Sequence, residues 1–191
     1  MKHAPDALAN LMLLAYFLAA LLGAPLWSWL AVRIGKHRAL ACNALFVMVS
    51  LVLVMAVPMT SAPVAILVMA LAGLPYSGAG VLLRAMLADL GDEMQLDTGV
   101  DRTGLLYATL SGTGKIGSAL ALTTFVILDA VGFQAQARHN TPGALAGLQA
   151  MFVGLPVLLS LAAAFVILGY RLDSRRHAEI RTALASTRIP P

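Results

Sequence analysis

The chain has 191 residues, of which 60% are hydrophobic and only 12% are charged, and its mean hydropathy is +0.85. Soluble domains carry roughly 25% charged residues, so this composition excludes an ordinary water-soluble domain and predicts an integral membrane protein. The formal net charge of +4 does not indicate nucleic-acid binding, because the basic residues stand at the ends of apolar stretches, where membrane topology explains them.

Five stretches with almost no charge predict five transmembrane helices. One crossing takes about 20 apolar residues, because the hydrocarbon core is ~30 Å thick and a helix rises ~1.5 Å per residue. The longest uncharged stretch, residues 39–83, holds two crossings joined by a proline-flanked turn at 58–63. The predicted helices are about 7–31, 39–57, 63–88, 103–129 and 145–171, which together make a transmembrane region over 1–171, and a basic tail follows at 172–191.

Lysine and arginine are distributed unequally between the two sides of the predicted membrane region. The segments 32–38 and 84–102 and the tail from 171 contain ten of these residues, whereas the opposite segments contain two. Short basic loops stay in the cytoplasm, so we expect a cytoplasmic carboxyl terminus and an outside amino terminus in the inner membrane. This topology is natural for a chain that follows an odd number of helices. We therefore expect a carboxy-terminal fragment or half of a longer protein, with a complete five-helix protein as the alternative.

Lys115 is the strongest candidate for a functional residue, because it lies within the fourth predicted helix. It stands 13 residues after Arg102, about 20 Å along a helix, which is too deep for easy snorkelling to the interface. A charge near the bilayer centre costs at least ~2.5–3.5 kcal/mol, so such a residue usually faces a cavity or an opposite charge. The other four predicted spans contain no acid. A carboxylate partner would then come from another chain or a missing segment, and a purely structural lysine is the alternative.

The same helix carries Gly112-Thr-Gly-Lys-Ile-Gly117, which fits the spacing of a dinucleotide-binding loop. That motif requires a preceding strand, and here it lies inside an apolar helical span, so we reject a nucleotide site. Small residues four apart instead predict close packing between membrane helices. The pairs are Ala108/Gly112, Gly114/Ser118 and Gly117/Ala121.

The third predicted helix is interrupted at residues 73–80 by Gly-Leu-Pro-Tyr-Ser-Gly-Ala-Gly. Broken helices of this kind often line a transport pathway, which makes Tyr76 a candidate lining residue. A kink without function is an equally good interpretation.

The acidic link at 89–102 and the basic tail lie on the predicted cytoplasmic side. The link is either a solvated loop or a set of charges that pair and separate with conformation. The tail has the pattern of a short amphipathic helix on the inner leaflet, with Ile180 and Leu184 four residues apart. The lone Cys42 and the four histidines outside the spans predict no metal site and no cofactor.

These residues resemble a known family, the glycoside–pentoside–hexuronide:cation symporters of the major facilitator superfamily. The resemblance is carried by its tenth-to-eleventh-helix signature, matched by Ala88-Asp89, Asp92, Thr98-Gly99, Arg102, Gly104, Tyr107 and Lys115. Residues 25–38 and 143–172 resemble the eighth-to-ninth-helix loop and the twelfth helix of the same family. Asp101 and Thr103 depart from it, because the family usually has a basic residue and a glutamate there.

The resemblance implies an all-α integral membrane fold with helices eight to twelve of such a transporter, and cation-coupled sugar transport by alternating access. It implies that Lys115 faces the central cavity and that Asp89 and Asp92 join charge locks at the cytoplasmic ends. Tyr76 and Tyr107 are further candidates for the cavity, and Arg102 is a further candidate for the locks. The expected partners are the bilayer, a sugar or glycoside, a coupling proton or sodium ion, and the missing amino-terminal half, without which we expect no transport. The alternative is a small, non-transporting membrane subunit that stabilises or regulates a larger complex. An enzyme is the weakest reading, because the spans lack a nucleophile paired with a base.

Overall fold

A computed structural model of the chain describes residues 4–57, 61–134, 137 and 139–168, and every regular element in these ranges is a helix. Five helical stretches are long and apolar enough to cross a membrane, namely Ala7–Ile34, Lys36–Ala56, Ala62–Thr98, Thr103–Ala130 and Pro142–Ile167. The predicted all-α membrane fold is therefore confirmed. The elements are α1 (Ala4–Ile34), α2 (Lys36–Ala56), α3 (Ala62–Gly73), α4 (Gly78–Thr98), α5 (Thr103–Ala130), α6 (Pro142–Gln149), a π-helical turn (Ala150–Gly154) and α7 (Leu155–Leu168).

The connection between α1 and α2 is shorter than the sequence predicted. The basic loop expected at 32–38 is reduced to Gly35, because α1 continues to Ile34 and α2 begins at Lys36. Gly35 has a φ of 92°, a left-handed conformation that only glycine adopts without strain. A single glycine therefore reverses the chain direction, and Lys36 occupies the first turn of α2.

The acidic segment after residue 88 is also helical, which corrects the prediction of a loop from 89 to 102. Helix α4 continues through it to Thr98 and ends at Gly99, whose φ is 72°. The segment from Asp92 to Thr98 contains neither glycine nor proline, and Glu, Met, Gln and Leu are good helix formers. Polarity alone predicted a loop here, whereas the backbone propensity of these residues extends the helix past the apolar span.

A cluster of buried apolar side chains lies where the end of α1, the start of α2 and the middle of α4 meet. This cluster consists of Trp27, Ala31, Ala39, Leu40, Leu82 and Met86, with Ile167 of α7 packed against it. Helix α3 packs mainly against α1, and α7 packs mainly against α2. Helices α1 to α4 and α7 thus form the packed body, and α5 stands at its edge.

The last predicted span, 145–171, begins earlier than expected and is not a uniform helix. Pro142 occupies the first turn of α6, and the hydroxyl of Thr141 caps it by accepting a hydrogen bond from the Ala144 N–H at 3.2 Å. The π-helical turn Ala150–Gly154 then joins α6 to α7. The basic tail at 172–191 lies outside the described residues.

Candidate functional site

The break predicted in the third helix is present between Gly73 and Gly78, and neighbouring side chains satisfy the backbone groups that it frees. The indole N–H of Trp27 donates to the Leu74 carbonyl at 3.0 Å. The side-chain amide of Asn43, which is almost fully buried, donates to the Pro75 carbonyl at 3.0 Å. Unsatisfied carbonyls are costly at membrane depth, so these two side chains stabilise the break where it stands.

Glycines allow the break to lie directly against the backbone of α1. A Cβ atom on Gly73 would collide with the Tyr16 carbonyl, and one on Gly23 would collide with the Leu74 carbonyl. The Ser77 hydroxyl completes the contact by donating to the Ala20 carbonyl at 2.6 Å. Close backbone contact at Gly73 and Gly23 and the Ser77 hydrogen bond therefore hold the break between α3 and α4 firmly against α1.

Tyr76 projects from this break, and its side chain is 65% exposed. Its ring meets the edge of Tyr16, with 5.7 Å between centroids, and both tyrosines border an apolar cavity of about 840 Å³ between α1, α2, α3 and the π-helical turn. Phe152 of the π-helical turn also lines this cavity. Two irregular backbone segments, the break and the π-helical turn, thus border one cavity.

An ion pair joins α2 to α4 at the predicted cytoplasmic end. The ammonium group of Lys36 lies 2.7 Å from both carboxylate oxygens of Asp89 and 3.4 Å from the Ala85 carbonyl. Asp89 is only 8% exposed. Sequence reasoning selected Asp89 but missed Lys36, which it counted as one of several topology-setting charges. The glycine immediately before Lys36 could have indicated this role, because a turn at Gly35 places Lys36 in the first turn of the next helix.

The other two proposed lock residues lie beyond this ion pair. Asp92 is partly exposed on α4, about one turn after Asp89. Arg102 is exposed immediately before α5, where its carbonyl accepts the N–H groups of Leu105 and Leu106. The structure gathers Asp89, Asp92 and Arg102 at one end of the bundle, and their action as a lock stays a prediction.

Helix α5, which carries Lys115, touches the rest of the described chain only near its ends. At its start, Thr103 lies beside Gly91, and the Tyr107 hydroxyl donates to the Arg84 carbonyl at 3.0 Å. At its far end, Val131 packs against Gly147. Among the described residues, none of the most apolar window of α5 is buried.

The predicted packing of the small-residue face of α5 is not found within the described chain. A Cβ atom added to Gly112, Gly114 or Gly117 would meet nothing within 4 Å. The reason is geometric: α5 is held at its two ends, and no described helix lies along its middle. Lys115 stands in this uncovered stretch and is exposed.

The structure does not bring the three proposed cavity residues into one pocket. Tyr76 lines the 840 Å³ cavity, Tyr107 lies in the seam between α4 and α5, and Lys115 lies farther along α5. Their shared role in a central cavity stays a prediction.

The chain has five apolar spans. One of them contains a broken helix held by hydrogen bonds, and another contains a lysine. These features together define an integral membrane protein built like a secondary transporter. The chain belongs to the family described as MFS/sugar transport protein, which it matches over residues 1–174. This match confirms the resemblance to sugar transporters of the major facilitator superfamily.

Two curated relatives are longer than this chain. The chain is 28% identical over 172 residues, 89% of its length, to the glucuronide carrier protein homolog of Escherichia coli K12, and that alignment covers 37% of the relative. It is 32% identical over 114 residues, 59% of its length, to an uncharacterized 29.9 kDa protein of Pseudescherichia vulneris, covering 42% of that protein. The chain thus spans about two-fifths of the relatives that it matches.

Proposed function

We propose that this chain is the carboxy-terminal part of a sugar:cation symporter and that it transports only together with further helices. The observation that carries the proposal is the exposure of α5. No described residue covers its apolar middle or Lys115. A transmembrane helix with an exposed charge and several exposed glycines is expected to contact another helix or a water-filled pathway. Membership of a sugar-transporter family supports the same interpretation.

In this scheme the substrate binds near the membrane midplane between this part and the missing helices, and the two parts rock around it. Lys115 would face the central cavity next to the coupling cation, which is a proton or sodium ion. The Lys36–Asp89 pair would keep the cytoplasmic ends of α2 and α4 together during this motion, and Asp92 and Arg102 would belong to the same charge lock. A glucuronide is the first substrate to test, because a relative carries that name.

The apolar cavity beside Tyr76 supports the need for further protein. It lies at membrane depth and is lined almost wholly by apolar side chains, among them Met12, Leu51 and Met69. An apolar lining of this extent suits contact with further apolar side chains or with lipid rather than with water.

The test is uptake of p-nitrophenyl glucuronide into proteoliposomes under a proton or sodium gradient. The chain alone should give no uptake above empty liposomes. Co-expression with the amino-terminal helices of the E. coli relative should give uptake that depends on the gradient. Full gradient-driven uptake by the isolated chain would contradict the need for further helices, and its absence with every matching partner would contradict the symporter assignment.

The alternative, a small membrane subunit without transport activity, has one observation in its favour. A matching relative has a mass of only 29.9 kDa, against 20.0 kDa for this chain. Under that alternative, the chain would co-purify with a larger membrane complex, and no amino-terminal partner would restore uptake.

A further inference from the structure

An apolar groove of about 420 Å³ lies between α4 and α7, at the predicted cytoplasmic end of the bundle. Both helices pack on α2, and few contacts join them directly. The groove is therefore a gap between two helices that share one support, and an apolar element can fill it. It is lined by Leu40 of α2, by Leu83, Met86, Leu87 and Leu90 of α4, and by Val166 and Ile167 of α7.

The groove lies at the cytoplasmic edge of the hydrocarbon core. Helix α2 has 21 residues, about 30 Å, which equals the thickness of that core, and it begins at Lys36. Lys36 pairs with Asp89, which stands on α4 between Leu87 and Leu90 of the groove. An element that comes from the cytoplasm can therefore reach the groove without crossing the bilayer.

The chain itself leaves the bundle beside this groove. Val166 and Ile167 line it, and α7 ends one residue later at Leu168. A further 23 residues follow, and Ile180 stands 12 residues after Leu168. Twelve residues span up to ~40 Å when extended, which leaves ample length for the tail to turn back toward α4.

The tail carries an apolar pair that matches the length of the groove. Ile180 and Leu184 are four residues apart, about 6 Å along one face of a helix. The α4 wall extends over seven residues from Leu83 to Leu90, about 10 Å. Amphipathic helices bind apolar grooves through side chains at this spacing.

Charge complementarity favours the tail as the occupant. Residues 89–98 of α4, which continue the groove wall toward the cytoplasm, contain four acids and neither lysine nor arginine. Residues 171–191 contain five arginines against two acids. The acidic end of α4 therefore attracts the same segment that supplies the apolar pair.

The order of apolar and charged residues sets the direction of docking. On α4, Glu93 follows Leu90 by three residues on the cytoplasmic side, and it is partly exposed. In the tail, Arg176 precedes Ile180 by four residues, on the same helical face. A tail that returns from the cytoplasm runs antiparallel to α4, so Arg176 meets Glu93 when Ile180 meets Leu90.

We propose that residues 176–184 of the tail dock as an amphipathic helix in the groove between α4 and α7. Ile180 and Leu184 occupy its apolar part, and Arg176 pairs with Glu93. The inference goes beyond the proposed function, since it concerns the cytoplasmic end of this chain and holds with or without transport. The anionic inner leaflet competes for the same basic and apolar side chains, and the experiment separates the two locations.

The primary measurement is disulfide cross-linking within the full chain in a Cys42→Ser background. Leu87→Cys with Ile180→Cys should form an intramolecular disulfide under mild oxidation, because such a bond requires Cα atoms within about 7 Å. Leu87→Cys with Thr182→Cys is the matched control, since Thr182 lies ~200° around a helix from Ile180 and should cross-link poorly. Both pairs are compared in neutral detergent and in nanodiscs that contain phosphatidylglycerol, and we expect the Ile180 disulfide in both.

Charge reversal tests the ion pair independently of the apolar contact. Arg176→Glu or Glu93→Arg should each lower the cross-linking yield about twofold or more, the effect of one exposed ion pair. The double variant Arg176→Glu/Glu93→Arg should restore the yield, whereas Arg188→Glu, outside the docked segment, should leave it unchanged.

Equal yields from Ile180 and Thr182 would overturn the docked helix. Loss of the Ile180 disulfide in phosphatidylglycerol nanodiscs would place the tail on the leaflet and overturn the proposal as well. A loss caused by Arg188→Glu in place of Arg176→Glu, or a double variant without restored yield, would overturn the antiparallel pairing of Arg176 with Glu93.

Discussion

Lys36 binds Asp89 through both carboxylate oxygens at 2.7 Å, across 53 residues of sequence. This contact joins the first turn of α2 to α4 and stands beside the buried apolar cluster around Leu82. Its partners differ in exposure, since the Lys36 side chain is 34% exposed and that of Asp89 is 11% exposed.

We expect Lys36→Ala to destabilise the chain by about 1–3 kcal/mol, because it removes the ammonium group that contacts both oxygens of the buried Asp89 carboxylate. Thermal unfolding in detergent measures the change. The double variant Lys36→Ala/Asp89→Ala should recover part of the loss, since it removes the buried carboxylate as well. A double variant as unstable as the sum of the two single variants would show that the pair contributes no coupling energy.

The side-chain hydrogen bonds of Trp27 and Ser77, which hold the broken helix against α1 and are called the clamp here, give a second prediction. Trp27→Phe keeps an aromatic ring but removes the N–H that binds the Leu74 carbonyl, and we expect a loss of about 1 kcal/mol, the usual size of such a bond in a membrane. Ser77→Ala should cost a similar amount, because its hydroxyl links α4 to the Ala20 carbonyl. Ser28→Ala is the control, since that exposed hydroxyl binds only the Ala24 carbonyl of its own helix. Equal stability of all three variants would contradict the clamp.

Glycine substitutions separate contacts inside the chain from contacts to missing helices. Gly73→Val should prevent stable folding of the isolated chain, because its side chain would collide with the Tyr16 backbone. Gly112→Val should leave the isolated chain unchanged, because a Cβ there meets nothing within 4 Å. If the α5 face binds further helices, Gly112→Val should instead reduce co-purification with the amino-terminal part. Tolerance of Gly112→Val in both assays would show that this face stays uncovered.

Lys115→Ala should leave the free energy of unfolding of the isolated chain within about 0.5 kcal/mol of the parent, as is usual for an exposed position. In the assembled transporter the same variant should lose gradient-driven uptake, because the positive charge proposed to line the central cavity is lost. Lys115→Arg, which keeps the charge, should retain more coupling. Unchanged coupling after Lys115→Ala would contradict the assigned role of this lysine.

Topology is testable by labelling single cysteines in a Cys42→Ser background. A cysteine at His3 should react with an impermeant maleimide from outside the cell, because the distribution of lysine and arginine places the amino terminus there. A cysteine at Asp97, which is exposed near the end of α4, should react only after the membrane is permeabilised. The reverse pattern would contradict the outside amino terminus and the expectation of an odd number of preceding helices.

Predictions from the sequence failed where polarity was taken as a sign of a loop. The residues at 32–38 and 89–98 are polar, yet both stretches are mostly helical in the structure, with Gly35 as the turn. A helix that is already formed in the membrane continues into water when the next residues have good helical propensity, since each further residue adds one backbone hydrogen bond. Charge marks the edge of the membrane rather than the end of a helix, and only the positions of Gly35 and Gly99 indicated where the helices stop.

The sequence by itself determined the membrane class, the five spans, the broken helix and the isolated lysine, because each follows from the length and polarity of a local stretch in a solvent that tolerates few charges. The tertiary structure alone decided which distant groups meet: Lys36 meets Asp89, and Trp27 and Asn43 meet the carbonyls at the break. These relationships depend on helix register and on close approach at glycines, which arise from packing between helices and are not encoded in any single span.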